Sequence, residues 1–410
     1  MKVLFVVPYA PSLVRVRPYN LIRHLSSRGH AVTVATTWTN ERERDSLEQL
    51  RRQGQRVLAA YLPRWRSLWN CLKALPGSTP LQAVYCWQPA LVRQVVDSAP
   101  DFDVVHVEHL RGAHYGLALR SRLARSSGPL PVVWDSVDCI TRLFRQAASG
   151  SQNLFSRLLT RFELGRTEKY EGWLAKQFDR VLVTSPAEQT ALLSLIPTEQ
   201  SAPCLGVLTN GVDLDYFTPG APSEREPATI VLSGKMSYHA NVAMVAHFVN
   251  HILPFIWRQR PEARLNIVGQ APPHSIQNLA RDPRISVVGT VNDIRPYLQR
   301  ATVAVASLTY GAGIQNKVLE AMACATPVVA SPPAVLSLAA QPGVDLLVAR
   351  EPADFADEVV SLLDSPALQR QVGAAGRQYV EQHHRWDSVA VQLESYYDEL
   401  VGAKRQQSRS

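Results

Sequence analysis

Short apolar, β-branched runs alternate with stretches of helical spacing twice along this chain. In the first half VLFVVP (3–8), AVTVAT (31–36), DVVHVEH (103–109), PVVWDS (131–136) and RVLVTS (180–185) read as strands. Between them, LVRVRPYNLIRHLSSRG and RFELGRTEKYEGWLAKQF place apolar residues at helical spacing. The pattern restarts at TIVLSG (229–234). It runs on through RLNIVG (264–269), ISVVGT (285–290), TVAVASL (302–308), PVVAS (327–331) and DLLVA (345–349). Strands alternating with helices imply right-handed βαβ units and a parallel sheet in each half. FTPGAPSEREPAT, polar and rich in breakers, reads as an exposed linker near 209–228. The expected fold class is therefore α/β, with two Rossmann-like domains facing a cleft, the first over 1–208 and the second over 229–385.

Open sheets of this kind bind ligands at the C-terminal ends of their strands, where helices begin. Gly234, Gly269, Gly311 and Gly313 fall at such ends, all in the second half. One stretch there is unusual: SLTYGAGIQNKVLEAMACATPVVAS (307–331) runs from a strand through a Gly-Ala-Gly turn into a helix that carries Lys317 in its first turn. The helix dipole disfavours a cation there by about 0.3–1 kcal/mol. An anion at the helix start removes the conflict, because the first N–H groups and the lysine then act on one negative charge. Glu320 follows on the same face by three-residue spacing and suits a ribose diol, which a carboxylate binds through two hydrogen bonds. The alternative is a strand-turn-helix with a surface Lys–Glu pair.

With these residues in view, the stretch resembles the donor-binding segment of retaining glycosyltransferases of sequence family four, whose two Rossmann-like domains make the GT-B type fold. LEAMACATPVVAS matches the second part of that segment, so Glu320 takes the place of its second glutamate, expected on the nucleotide ribose. The family's first glutamate, which commonly contacts the donor sugar, falls at Ala312. GAGIQNKVLEAMA is similar to a subgroup with a glycine-rich turn and a lysine there. HLSSRGHAVTVAT, FDRVLVTSPAEQTALL, NGVDLDYFTP and VVGTVNDIRPYLQRATVAVASL resemble further family segments in the same order. RWDSVAVQLESYYDEL resembles its closing helix (386–402), which returns to the first domain. The resemblance implies a donor site of Gly234, Gly269, Gly311, Gly313, Ile314, Gln315, Asn316 and Glu320, with Lys317 and Lys235 at the diphosphate. Lys235 sits in LSGKMSYHANVAMV, in place of a segment that normally carries two cations; here His239 and Asn241 follow instead. Lys235 reads equally as a surface lysine.

The first half offers candidates for an acceptor. DVVHVEHLRGAHYG gathers His106, Glu108, His109, Arg111 and His114 at a strand end. Strand alternation points His106 and His109 to opposite faces, which argues against a metal site and leaves Glu108, His109 and Arg111 as acceptor contacts. VVWDSVDCITR puts Asp135 and Asp138 where many relatives have a sugar-contacting histidine; the alternative role is a helix cap. Arg15 and Arg17 suit a phosphorylated or acidic acceptor, or else form a solvated face. YLPRWRSLWNCLKALPG sets Trp65 and Trp69 on one helical face beside Arg64, Arg66 and Lys73. That fits either an interfacial helix on an anionic membrane surface or a helix packed on the sheet.

Composition narrows the class. The chain has 410 residues, 46% hydrophobic and 19% charged, with a net charge of +8. The basic excess gathers toward the N-terminal half and admits phosphorylated small molecules or anionic lipid; no recognised nucleic-acid module accompanies it. Five cysteines without metal-ligand spacing point to reduced thiols and a cytoplasmic placement, alternatively peripheral on the inner membrane face. No apolar run nears the ~18 residues of a membrane span. The reading is a nucleoside-diphosphate-sugar-dependent glycosyltransferase acting on a lipid-linked or glycan acceptor. No cofactor is expected. The Asp-x-Asp triplets at 101–103 and 213–215 lie away from the glycine turn, so no metal is expected either. Two rivals stand beside it: a sugar-nucleotide epimerase of the same architecture, and a nucleotide-sugar-binding protein without turnover.

Overall fold

The apolar runs become buried parallel strands. The computed structural model describes all residues except 13–14, 124–129, 151–153, 198–202, 237, 312 and 408–410, and omits the side chains of 147–150, 154–160, 222 and 407. The chain divides into two units, Met1–Thr209 with Trp386–Ser410, and Asn210–Arg385.

The first unit holds β1 (Lys2–Val7), β2 (Ala31–Trp38), β3 (Arg56–Tyr61), β4 (Val104–Glu108), β5 (Val132–Val137), β6 (Arg180–Val183) and β7 (Leu205–Val207). Their lateral order is β3-β2-β1-β4-β5-β6-β7, parallel throughout. The second unit holds β8 (Thr229–Ser233), β9 (Arg264–Val268), β10 (Ile285–Gly289), β11 (Val303–Ala306), β12 (Val328–Ala330) and β13 (Leu347–Val348). Its order is β10-β9-β8-β11-β12-β13, again parallel. Each unit is a Rossmann-like α/β lobe.

In each sheet the chain winds outward from its first strand and then crosses to the other side. The reversal falls between β1 and β4, where Val3 pairs with Val104, and between β8 and β11, where Val303 pairs with Ile230. Loops leaving the C-terminal ends of such neighbours diverge to opposite faces and open a crevice, which is where these sheets take ligands. Topology therefore marks two places: the loops after β1 and β4, and those after β8 and β11.

Two strands were not legible as strands. In β3, RVLAAY is half-buried and lies at the sheet edge, and β7 is three residues long. Neither shows clear period-two alternation. The closing helix, Trp386–Gln407, belongs to the first unit, where Trp386, Val389, Leu393 and Tyr397 pack with Val3, Phe5, Val133 and Leu182.

Contrary to the sequence expectation, one helix, His239–Gln259, is long and apolar enough to cross a membrane by length and composition, with 21 residues and mean hydropathy 1.2. His239, Asn241, His247 and Asn250 break its apolar run in the sequence. In the structure Met244, Val245, Phe248, Ile252 and Ile256 of that helix pack in the core of the second unit, and 44% of its apolar window is buried.

Candidate functional site

The loops after β8, β9 and β11 crowd together, and glycine permits it. A Cβ on Gly269 would stand 1.7 Å from the Gly234 carbonyl oxygen, so only a residue without a side chain fits. Gly313, at φ 66°, turns the chain in the left-handed region before the helix Asn316–Ala323. That helix starts two residues later than the apolar spacing suggests. Ile314 is buried ahead of it, and Gln315 occupies the cap position without a side-chain bond to the first N–H groups. Asn316 accepts a hydrogen bond from the Asn210 side chain at 3.3 Å. Gly311 is buried at the turn, and Ala312 lies outside the described residues.

Lys317 is indeed in the first turn. Its Nζ donates to Asn241 Oδ1 at 2.6 Å, and Asn241 Nδ2 donates to the Lys235 carbonyl at 2.9 Å. Asn241 sits in the first turn of the helix opening at His239, so the starts of two helices are joined through one amide and one ammonium. Burial pushes the Lys317 ammonium down to about 8 against the pull of Glu320. Burial likewise pushes the Glu320 carboxyl up to about 7, with Lys317 opposing. Among the described residues the two make no ion pair with each other, and the Glu320 carboxylate has no hydrogen-bond partner. A cation held at two helix starts beside an unsatisfied carboxylate is chemically suited to a diphosphate with a neighbouring diol. Lys235 contributes its carbonyl to this arrangement, while its side chain is exposed. Asn241 was not singled out as a site residue from sequence, because an asparagine in a helical stretch carries no signal of its own.

The first unit shows a second polar concentration, at the ends of β1, β4 and β5. Arg17 does not offer a free guanidinium to solvent. It is buried, donates from Nε to Asp135 Oδ2 at 2.9 Å and from Nη1 to the Thr209 carbonyl at 3.1 Å. Burial alone would raise Asp135, but Arg17 and then His106 outweigh it and hold the carboxyl below its usual range. His106 in turn meets the Tyr397 hydroxyl at 2.8 Å, which ties β4 to the closing helix. Arg15 pairs with Glu43 at 2.9 Å and lies over the Tyr9 ring. Glu108 ends β4, nearly fully buried; Tyr9 donates to its Oε1 at 3.4 Å, while Oε2 has no partner among the described residues. Burial, then the nearby Asp135, pushes Glu108 up to about 8, so it holds a proton at neutral pH.

His109 follows at φ 64°, and Val137 ends β5 at φ 68°. For a histidine and above all a β-branched valine this backbone is strained, by about 1–3 kcal/mol each, and such strain gathers where function constrains the chain. Burial pushes His109 down to about 3, and Arg111 adds to it. Arg111 lies over the Tyr85 ring at 5.6 Å. Asp138 is raised to about 7 by burial and then by Glu188, and it accepts from Thr184 at 3.1 Å. Neither Asp135 nor Asp138 caps the helix Ile140–Gly150. Its start is held by distant carboxylates: Glu188 accepts from Cys139 N, and Glu171 from Ile140 N and Thr141 N, at 2.8–2.9 Å. Sequence spacing gave no hint of that, since the partners lie 30 to 49 residues away.

The tryptophan-bearing helix, Arg64–Ala74, turns its polar residues inward. Ser67 and Asn70 are buried, and Asn70 donates to the Trp87 carbonyl at 2.9 Å. Arg166 donates to the carbonyl of its last residue, Ala74, and to that of Gly77 beyond its end. Trp65 (63% exposed), Leu68 (68%), Trp69 (48%) and Leu72 (55%) face outward at helical spacing. Arg66 lies over Trp65 and Lys73 over Trp69.

Of the Asp-x-Asp triplets, Asp103 accepts from Lys2 N at 2.8 Å, and Asp213 accepts from Asp215 N and Tyr216 N, holding a turn. Among the described residues no three His, Cys, Asp or Glu side chains cluster as a metal site. The five cysteines form no disulfide.

Comparison with known proteins bears on both units. Residues 14–200 match the model of the glycosyl transferase 4-like domain, and residues 227–365 that of glycosyl transferases group 1. A GDP-mannose-dependent monoacylated alpha-(1-6)-phosphatidylinositol monomannoside mannosyltransferase from Corynebacterium glutamicum is 29% identical over 213 residues, 47% of this chain and 56% of that protein. An MMP alpha-(1->4)-mannosyltransferase from Mycolicibacterium hassiacum is 28% identical over 73% of this chain and 71% of its own. The chain thus spans little more than half of the first relative and under three quarters of the second. Among solved structures, sucrose-phosphate synthase from Thermosynechococcus elongatus superposes with TM-score 0.69 at 19% identity, covering 98% of this chain and 99% of that one. Anabaena HepE, in complex with UDP and glucose, gives TM-score 0.66 at 17% identity, covering 97% and 99%. The chain has the GT-B type fold and is related to the glycosyltransferases of these two families.

Proposed function

We propose that this relative of the GT-B glycosyltransferases moves a sugar, with retention of configuration, from a nucleoside-diphosphate sugar to a hydroxyl of a lipid-linked or glycan acceptor. The observation that carries the reading is the arrangement after β8 and β11: Lys317 held by Asn241 at two helix starts, beside a Glu320 carboxylate with no hydrogen-bond partner among the described residues. Glu320 binds the ribose. The N–H groups of Asn316 and Lys317, with the Lys317 ammonium, meet the charge that grows on the diphosphate as the sugar leaves. No side-chain nucleophile is required, because the departing diphosphate takes the acceptor proton on the same face. The chain's contribution is positioning and charge stabilisation. No metal takes part. Gly234, Gly269 and Gly311 let the donor approach the backbone, and Lys235 adds charge from its exposed position.

On the acceptor side, Glu108, protonated at neutral pH, presents a hydrogen bond to an acceptor hydroxyl, with His109, Arg111 and Asp138 around it and Arg15 at the margin. Arg17 acts through Asp135, fixing the loop ends rather than touching substrate. The acceptor in the name of the Corynebacterium relative, a monoacylated phosphatidylinositol monomannoside, supports the lipid-linked class. The outward Trp65, Leu68, Trp69 and Leu72, with Arg64, Arg66 and Lys73 among them and no acid on that helix, suit the surface of an anionic membrane and support a cytoplasmic enzyme peripheral on the inner face. Incubation with UDP- and GDP-sugars alone and then with extracted cell lipids, followed by mass spectrometry, tests the reading. A glycosylated lipid or glycan supports it. Interconversion of nucleotide sugars without acceptor supports an epimerase, and binding without turnover a donor-binding protein.

A further inference from the structure

His239 is the first residue of the helix His239–Gln259, two residues before the asparagine that holds Lys317. Its Nδ1 lies 2.8 Å from the Tyr310 hydroxyl, and the two rings stack at 5.7 Å with 21° between planes. Tyr310 immediately precedes the Gly311–Gly313 turn. The pair therefore bridges the same two loops that Asn241 and Lys317 join. A tyrosine hydroxyl suits either state of the ring: it donates to a neutral Nδ1 and accepts from a protonated one. Nε2 has no partner among the described residues.

We propose that His239, positioned by Tyr310, is the second cation of the donor diphosphate site and takes up a proton as the nucleotide binds. This rests on the donor-site reading above. The charged and titratable groups around His239 are Tyr310 and, adjacent in the chain, Tyr238, whose ring is 4.7 Å away; Lys235 lies one turn before, and Lys317 and Glu320 lie beyond Asn241. No carboxylate among the described residues pairs with the ring, and burial lowers its pKa, so the imidazole is neutral at pH 7.5 without ligand. A diphosphate beside it supplies the missing opposite charge and favours the imidazolium. The site then has Lys317, a cation at neutral pH before the ligand arrives, and His239, whose charge forms only on the complex.

The test is titration calorimetry of the whole protein with UDP and with GDP at pH 7.5, in three buffers of different ionisation heat. Wild type should take up about half a proton or more beyond His239→Gln, a difference that removes contributions from Lys317 and Glu320. Between pH 6.5 and 8.5 wild-type affinity should fall more steeply than that of the variant, by up to about tenfold for each unit by which the diphosphate raises the ring. Ring nitrogen shifts of His239 in isotope-labelled wild type read the same event without a variant: imidazole when free, imidazolium with nucleotide. Equal uptake in both proteins, or a neutral ring in the complex, overturns the proposal while leaving the donor site standing. If neither nucleotide binds, the donor-site reading falls and this inference with it.

Discussion

Replacing Lys317 with methionine should make the free protein more stable and the enzyme slower. In the folded chain the ammonium falls from an ordinary 10.5 to about 8 through burial, which corresponds to a cost of about 3 kcal/mol at neutral pH. The dipole of its own helix acts in the same direction by a few tenths of a kcal/mol or more. Against this, the substitution strips Asn241 Oδ1 of its 2.6 Å partner, about 1–1.5 kcal/mol, and removes the cation that opposes burial of Glu320. A net gain of about 1–2 kcal/mol remains, or about 2–8 °C in Tm for a unit of this size. The pH dependence has a definite sign. A lysine with a depressed folded pKa carries its full penalty below about 8, and loses it as pH rises from 8 toward 10.5. The stability gap between variant and wild type should therefore be widest at pH 7 and close by pH 10. Thermal unfolding across that range, without and with UDP or GDP, measures it. Nucleotide should protect wild type more than Lys317→Met, and turnover should fall further than donor affinity, because charge on the leaving group grows toward the transition state. A variant as stable as wild type at pH 7, with normal turnover, would show that this lysine merely sits on the surface.

Glu320→Gln exchanges an acceptor for a donor at nearly constant shape and should weaken UDP or GDP binding by about 1.5–3 kcal/mol in calorimetry; unchanged affinity removes Glu320 from the ribose. Because burial raises this carboxyl to about 7, and only the ionised form accepts two hydrogen bonds, wild-type affinity should also drop as pH falls from 8 to 6 through this group, and Glu320→Gln should lack that component. Activity in excess chelator should stay near its starting value; a loss that magnesium or manganese restores would bring the Asp-x-Asp triplets back as metal ligands. Sedimentation with vesicles should show salt-sensitive binding to anionic lipid and none to neutral lipid, weakened about tenfold or more by Trp65→Ser with Trp69→Ser. Equal binding of variant and wild type would assign the outward face of Arg64–Ala74 to another partner.

Hydrophobic periodicity determined the two α/β sheets, since a strand buried on both faces needs an uninterrupted apolar run and its helix needs a one-sided one. It located eleven of the thirteen described strands and missed β3 and β7, an edge strand and a three-residue one, where burial is incomplete and the pattern fades. The Gly-Ala-Gly turn and the misplaced lysine were likewise legible, because both break local rules that a short window tests. What the sequence could not carry is any property that arises when distant segments meet. Asn241 reaching Lys317 across 76 positions, Arg17 folding onto Asp135 across 118, and Glu171 capping a helix 30 residues upstream are settled by the order of strands in a sheet. The same holds for the face that Arg64–Ala74 turns outward. Its spacing fits burial and exposure equally, and the choice fell to Asn70 and Arg166, whose hydrogen bonds hold the polar side against the protein and leave the tryptophans in solvent.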